Sequence, residues 1–247
     1  MKKSILLGLL SVLLLSANAF ALPVGPGLQT VLNNIAVDGT NNVNAETGHL
    51  VDGSDSHWNI TATGTSAATF IIELAGYAAY NSFGIYDIAN TSNRVELFSA
   101  ADTNKDQVSV SIDGSGNIVV ADITDLSFSF GKFAGATFGY YINVANTQNT
   151  YFSNSSLNEN GTDHMLAYRG VGELVDLDGT GTKFGAGTWT DEEWILAFED
   201  LYNGGDNNFT DLVVMVESVE PVPEPATMFL LGTGIIGLAG ARRKKKN

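Results

Sequence analysis

Between Phe198 and Leu212 the chain reads Glu199-Asp200-Leu201, then Gly204-Gly205-Asp206-Asn207-Asn208-Phe209-Thr210-Asp211. Oxygen-bearing side chains are concentrated here between two apolar runs. Hard cations such as Ca²⁺ take about six to eight oxygens from carboxylates, amide carbonyls and backbone. Glu199, Asp200, Asp206, Asn208 and Asp211 are therefore candidate calcium ligands. Gly204 and Gly205 allow the backbone to bend, and the apolar run after the loop would fix it to a core. The same composition also suits an Asx-rich turn, in which these side chains cap their own backbone N–H groups. Both readings stand at this point.

Other clusters carry less chemistry. Asp102-x-Asn104-x-Asp106 resembles the start of an EF-hand loop, but Gln107 occupies the position that needs Gly, and Asp113 stands where Glu is required. A β-rich run comes next instead of a helix, so a polar loop is expected. Asp176-x-Asp178-Gly179 offers only two carboxylates. His49, His57 and His164 lack paired metal-ligand spacing. Asp163-His164 could act as a ligand or catalytic pair, although packing is the commoner role for such a histidine. No G-x-S-x-G occurs, which leaves a nucleophile elbow without support. Two acids could run glycoside hydrolysis, but chance pairs abound in a chain with 27 acidic residues. Trp58 and Trp189 could stack on sugars if exposed, whereas Trp194 alternates with Leu196 and Phe198 as a core residue does.

The chain has 247 residues, 12 Lys and Arg, and no Cys. Disulfides, Cys-ligated zinc, iron–sulfur clusters and thiol nucleophiles are thereby excluded. A net charge of −15 argues against nucleic acid as a partner. Hydrophobic residues make up 44% of the chain and aromatics 10%, a composition that supports a folded core rather than long disorder.

Both ends read as addresses. Residues 1–21 combine Lys2 and Lys3, an apolar run from Ile5 to Leu15, and small residues at Ala17, Ala19 and Ala21. This is the pattern of a secretory signal helix, with cleavage expected after Ala19 or Ala21 and Ala21 favoured. Export translocon and signal peptidase are the implied partners. At the other end, Pro221 to Pro225 precede an uncharged stretch at 226–241 and then Arg242-Arg243-Lys244-Lys245-Lys246. Sixteen helical residues reach roughly 24 Å, and flanking basic side chains can snorkel to complete a transmembrane helix. The positive-inside rule keeps the basic tail cytoplasmic and places 22–220 outside the inner membrane. Gly232, Gly234 and Gly237 spell GxGxxG, but no acidic residue lies at the needed distance beyond them, so nucleotide binding is rejected.

Val222-Pro223-Glu224-Pro225-Ala226, the apolar helix and the basic cluster beginning Arg242-Arg243-Lys244 resemble the PEP-CTERM sorting signal of exported proteins in Gram-negative, exopolysaccharide-making bacteria. The resemblance implies recognition by an exosortase, a membrane peptidase, and removal of the anchor near Pro-Glu-Pro. An ordinary tail anchor would share the helix but not its later loss.

The exported body, 22–220, keeps five basic residues against 26 acidic ones, a net −21. Such a surface attracts divalent cations and repels anionic polymers unless a cation bridges them. Leu28, Val31, Leu32 and Ile35 have helical spacing and predict a short amphipathic helix. Elsewhere about ten short β-rich runs alternate with Gly, Asn, Asp and Ser clusters. They lie at 69–74, 82–86, 94–98, 107–112, 117–121, 126–130, 137–144, 165–169, 194–198 and 212–219. Asp113-Gly114-Ser115-Gly116-Asn117 predicts a hairpin turn. The expected fold class is mainly β: one β-sandwich domain of jelly-roll type.

Phe83-Gly84-Ile85-Tyr86-Asp87, Asp163-His164-Met165 and Phe198-Glu199-Asp200 with Gly204 to Val213 resemble domain-of-unknown-function family 4114, most closely over 160–217. The family pattern places Asp or Asn where this chain has Thr210, and often Asp at Asn208. The family carries no assigned chemistry. The expectation is a non-enzymatic exported protein, anchored briefly in the inner membrane and then held at the cell surface or in the exopolysaccharide matrix. Its role would be structural or adhesive. The alternative is a carbohydrate-binding module or carbohydrate-active enzyme in the same place.

Overall fold

The computed structural model describes residues 24–222 apart from 40, 63–68, 77–79, 103–105 and 178–185, and gives the backbone alone for 69–76. The expected signal at 1–21, the transmembrane stretch at 226–241 and the basic tail lie outside the described residues. Among the described residues no helix is long and apolar enough to cross a membrane.

The predicted helix is present as Pro26–Ile35, with Pro26 at its first turn, where the missing N–H costs nothing. Leu28, Leu32 and Ile35 are buried on one face. All else that is regular among the described residues is strand or short 3₁₀ turn. One sheet runs Val219–Pro221, Trp58–Ile60, Phe138–Val144, Asn81–Asp87, Asn90–Phe98, with Asn149–Phe152 also on Phe138–Val144. A second runs Met165–Arg169, Glu193–Phe198, Leu212–Glu217, Thr69–Gly76, Gln107–Ile112, Asn117–Asp122, Ser127–Lys132. Glu173–Asp176 and Ala186–Trp189 make a two-stranded ribbon. All pairings in these sheets are antiparallel. The predicted hairpin closes as expected: Asp113 accepts from the N–H groups of Ser115 and Asn117 at 2.8 and 2.9 Å. Gly116 takes φ +82°, which a side chain would resist.

Strand periodicity explains two cores. Residues of period two on Met165–Arg169, Glu193–Phe198 and Leu212–Glu217 send Met165, Ala167, Trp194, Leu196, Val214 and Val216 into a main cluster. Trp58, Phe83, Ile85, Phe138 and Tyr140 from the other sheet join the same cluster. The alternate residues Leu166, Tyr168, Ile195, Ala197, Val213 and Met215 face a second cluster with helix residues Leu28 and Leu32. These three strands are therefore buried on both faces, and the loop at 199–211 joins two of them.

Trp58 shows how the main core is joined. It lies edge-on to Tyr140 and Trp194, with centroids 5.7 and 5.3 Å away, and its indole N–H donates to the Asp55 carbonyl at 2.7 Å. Trp58→Ala is expected to reduce stability by about 3–5 kcal/mol, read from urea denaturation. An unchanged midpoint would contradict this packing.

Candidate functional site

Register brings the principal acids together. Glu193–Phe198 pairs antiparallel with Leu212–Glu217, and Phe198 stands opposite Leu212. The residues just beyond that last pair, Glu199 and Asp211, are thus forced side by side. One carboxylate oxygen each of Glu199, Asp200 and Asp211 lies within 4.8 Å of the others. Glu199 is wholly buried and Asp211 nearly so, while Asp200 is half-buried.

The connecting loop is bent to fit. Asn203, Gly204, Gly205, Asn207 and Phe209 all take positive φ. Gly205 is required sterically: a Cβ there would lie 2.3 Å from the Leu201 Cβ and 2.7 Å from Glu199 Oε1. Phe209 is fully buried in the second core and pins the loop, and the Gly25 N–H donates to the Asn207 carbonyl at 2.9 Å. Backbone N–H groups of Leu201 and Asn208 donate to the two Glu199 oxygens, each at 3.1 Å. The Asp200 N–H donates to Asp211 Oδ2 at 3.0 Å.

The five residues singled out in the sequence divide into two groups. Glu199, Asp200 and Asp211 form the carboxylate cluster. Asp206 and Asn208 lie beside it but cap their own loop: Asp206 accepts from the Asn208 N–H and amide at 3.2 and 3.0 Å. Asn208 Oδ1 accepts from the Thr210 N–H and hydroxyl, both at 2.8 Å. The Asx-turn chemistry therefore operates in the same loop as the cluster. Thr210, which departs from the family pattern, here completes that turn.

Asn81 was not legible as part of the site. Its Nδ2 donates to Asp200 Oδ2 at 2.8 Å across 119 residues of sequence. Asn81 is only 4% exposed, and its Oδ1 has no hydrogen-bond partner among the described residues. An amide oxygen is a hard donor of the kind calcium takes. Only tertiary pairing of Asn81–Asp87 with Phe138–Val144 brings it there.

An open cavity of about 340 Å³ adjoins the cluster, lined by Asp200, Asp211, Asp206 and Asn208 from the loop and by Tyr80, Asn146 and Thr147 opposite. Glu199, fully buried, does not line it.

The remaining candidates lie elsewhere. Asp102 accepts from the Ser99 N–H at 2.5 Å and closes a local turn; Asn104 and Asp178 fall outside the described residues. His164 is fully buried and stacked on Tyr151 at 3.8 Å. Its Nδ1 meets the Glu199 carbonyl at 2.8 Å and its Nε2 the Glu159 carboxylate at 3.1 Å, so it braces the loop. Asp163 is buried and pushed up to about 7, by desolvation first and then the charge of Asp52. Trp58, Trp189 and Trp194 are buried, and none offers the exposed platform that sugar stacking by Trp58 or Trp189 would need.

Residues 221–244 match the PEP-CTERM protein-sorting motif, which indicates export, membrane anchoring through the C-terminal signal and processing by an exosortase. Residues 131–219 match the family DUF4114, a domain of unknown function. No curated protein and no solved structure gives a significant match. The DUF4114 segment contains the whole 199–211 loop, yet Asn81, Trp58 and the helix precede it. Thr69–Gly76 and Asn81–Asp87 pair directly with strands inside it. The sorting motif begins where the last strand ends, since Pro221 pairs with Trp58 and the Val222 N–H donates to the His57 carbonyl at 2.8 Å.

Electrostatics give the cluster a measurable signature. Burial, then the charge of Asp211, pushes Glu199 up to about 8. Burial also raises Asp211 to about 6, against the pull of the Asp200 N–H. Both acids thus keep protons in the folded state at pH values where the unfolded chain has lost them. The stability they contribute to metal-free protein is fully present below about pH 3, under both unfolded values, and is lost as the pH rises through both folded values. The melting temperature in chelator should be higher at about pH 5 than at about pH 8, and Glu199→Gln should flatten the decline. A melting temperature that climbs over this range, or an identical slope in the variant, would contradict the assignment.

Proposed function

We propose that the exported body is a non-catalytic β-sandwich module held at the cell surface or in the exopolysaccharide matrix, whose 199–211 loop is stiffened by calcium. The observation that carries the calcium reading is the convergence of three carboxylates with the orphaned Asn81 oxygen. Glu199, Asp200, Asp211 and Asn81 Oδ1 would hold the ion, with backbone carbonyls or water completing its shell. The charges acting on Glu199 come from Asp211 and Asp206, both of its own sign. A divalent ion would replace the protons and remove the mutual repulsion of the carboxylates. The main core, which draws side chains from both larger sheets, supports the sandwich reading.

A glycosidase is less well supported. Catalytic carboxyls stand about 5–5.5 Å apart in retaining enzymes and about 6.5–9.5 Å apart in inverting ones. One oxygen from each clustered acid lies within 4.8 Å of the others, a convergence suited to sharing one cation.

Calcium should raise the melting temperature of the purified chain at about pH 7, and Asp211→Asn or Asn81→Ala should weaken calcium binding by about tenfold or more. No calcium-induced shift in the unmutated protein would end the calcium reading. The sorting reading has its own test. Intact mass of protein recovered from cells and medium should show a species lacking 226–247. Recovery only of chains that retain this segment would replace processing with a permanent anchor.

A further inference from the structure

The cavity beside the cluster combines acidic, amide, hydroxyl and aromatic side chains with the apolar Val144 and Leu201. A calcium ion on Glu199, Asp200 and Asp211 would have Glu199 and Asn81 behind it. Both are buried and neither lines the cavity. Asp200 and Asp211 do line it, so the open coordination positions would face into the space. At about 340 Å³ the cavity falls at the small end of the pocket range for small molecules, about 300–1,000 Å³. Its far wall is chemically mixed. Tyr80 is 49% exposed there, and its backbone is fixed by the Ala145 N–H donating to its carbonyl at 2.8 Å. Asn146 and Thr147 add an amide and a hydroxyl.

These features select a chemical class. Calcium's open positions accept hard neutral oxygens, and two adjacent hydroxyls on a ring can fill two of them together. An aromatic ring accepts the C–H face of the same sugar, while amide and hydroxyl groups fix its orientation. The carboxylate of Asp206 at the rim disfavours an anionic ligand. We propose that this cavity binds a neutral sugar residue, its adjacent hydroxyls coordinated to the calcium ion and its ring packed on Tyr80. The proposal rests on the calcium reading above and specifies what the ion would be for. The buried tryptophans take no part; Tyr80, which precedes Asn81, supplies the aromatic surface.

The test is calorimetry on the full chain in detergent, first with calcium alone and then with methyl glycosides of mannose, galactose, glucose and fucose. At least one glycoside should bind the calcium-loaded protein, and chelator should weaken that binding at least tenfold. Tyr80→Ala should weaken glycoside binding at least tenfold while leaving calcium binding unchanged. If calcium binds but none of the four glycosides does, the sugar proposal is overturned and the calcium site stands. Glycoside binding that persists in chelator, or that Tyr80→Ala leaves intact, also overturns it. Absence of calcium binding removes both readings together.

Discussion

Two carboxyl groups driven side by side at the end of a buried hairpin form the constraint on which the rest of the site depends. Desolvation disfavours their charged forms, and their mutual repulsion disfavours double ionisation. The loop answers with backbone N–H groups on both Glu199 oxygens and on Asp211. Five positive-φ residues between Asn203 and Phe209 are the conformational cost of aiming those groups inward. Such strain persists only where packing overrides it, and here Phe209 in the second core and the helix beneath it do so.

The surrounding architecture exists in part to hold that hairpin still. Its two strands are buried on both faces, between the main core and the helix cluster. Strands from outside the DUF4114 segment complete both larger sheets, and one of them delivers Asn81 to Asp200. The unit that positions the site is consequently larger than the matched segment. The end of the body is equally well defined: Val219–Pro221 finishes its pairing next to the sorting motif, so loss of the chain beyond Pro-Glu-Pro would leave the sheet intact.

Much of this was legible because local rules agreed with tertiary demands. The i, i+3, i+4, i+7 spacing marked the helix, and the Asp113–Asn117 turn chemistry marked its hairpin. The apolar alternation around Trp194 pointed correctly to burial. Glu199 and Asp211 were legible as candidates because each abuts a strand, but that the two meet is set by the strand register. Asn81 was not, since nothing local distinguishes an asparagine that begins a strand from one that ends a turn. The alternation Phe128-Ser129-Phe130 misleads in the opposite way: it reads as an inward face, yet both phenylalanines are largely exposed on the sheet's edge strand. Gly131 there packs against Val95 and Ile118, which only the assembled sheets determine.

The central claim is that a cation, rather than a shared proton, balances the buried acids of the exported protein. A crystal structure of the chain grown in calcium, with the ion located by its anomalous signal, tests it most directly. The account predicts one ion in contact with Glu199, Asp200 and Asp211 and with Asn81 Oδ1. A well-ordered loop with no ion there, its Glu199 and Asp211 still joined by the side-chain hydrogen bond they share, would contradict it.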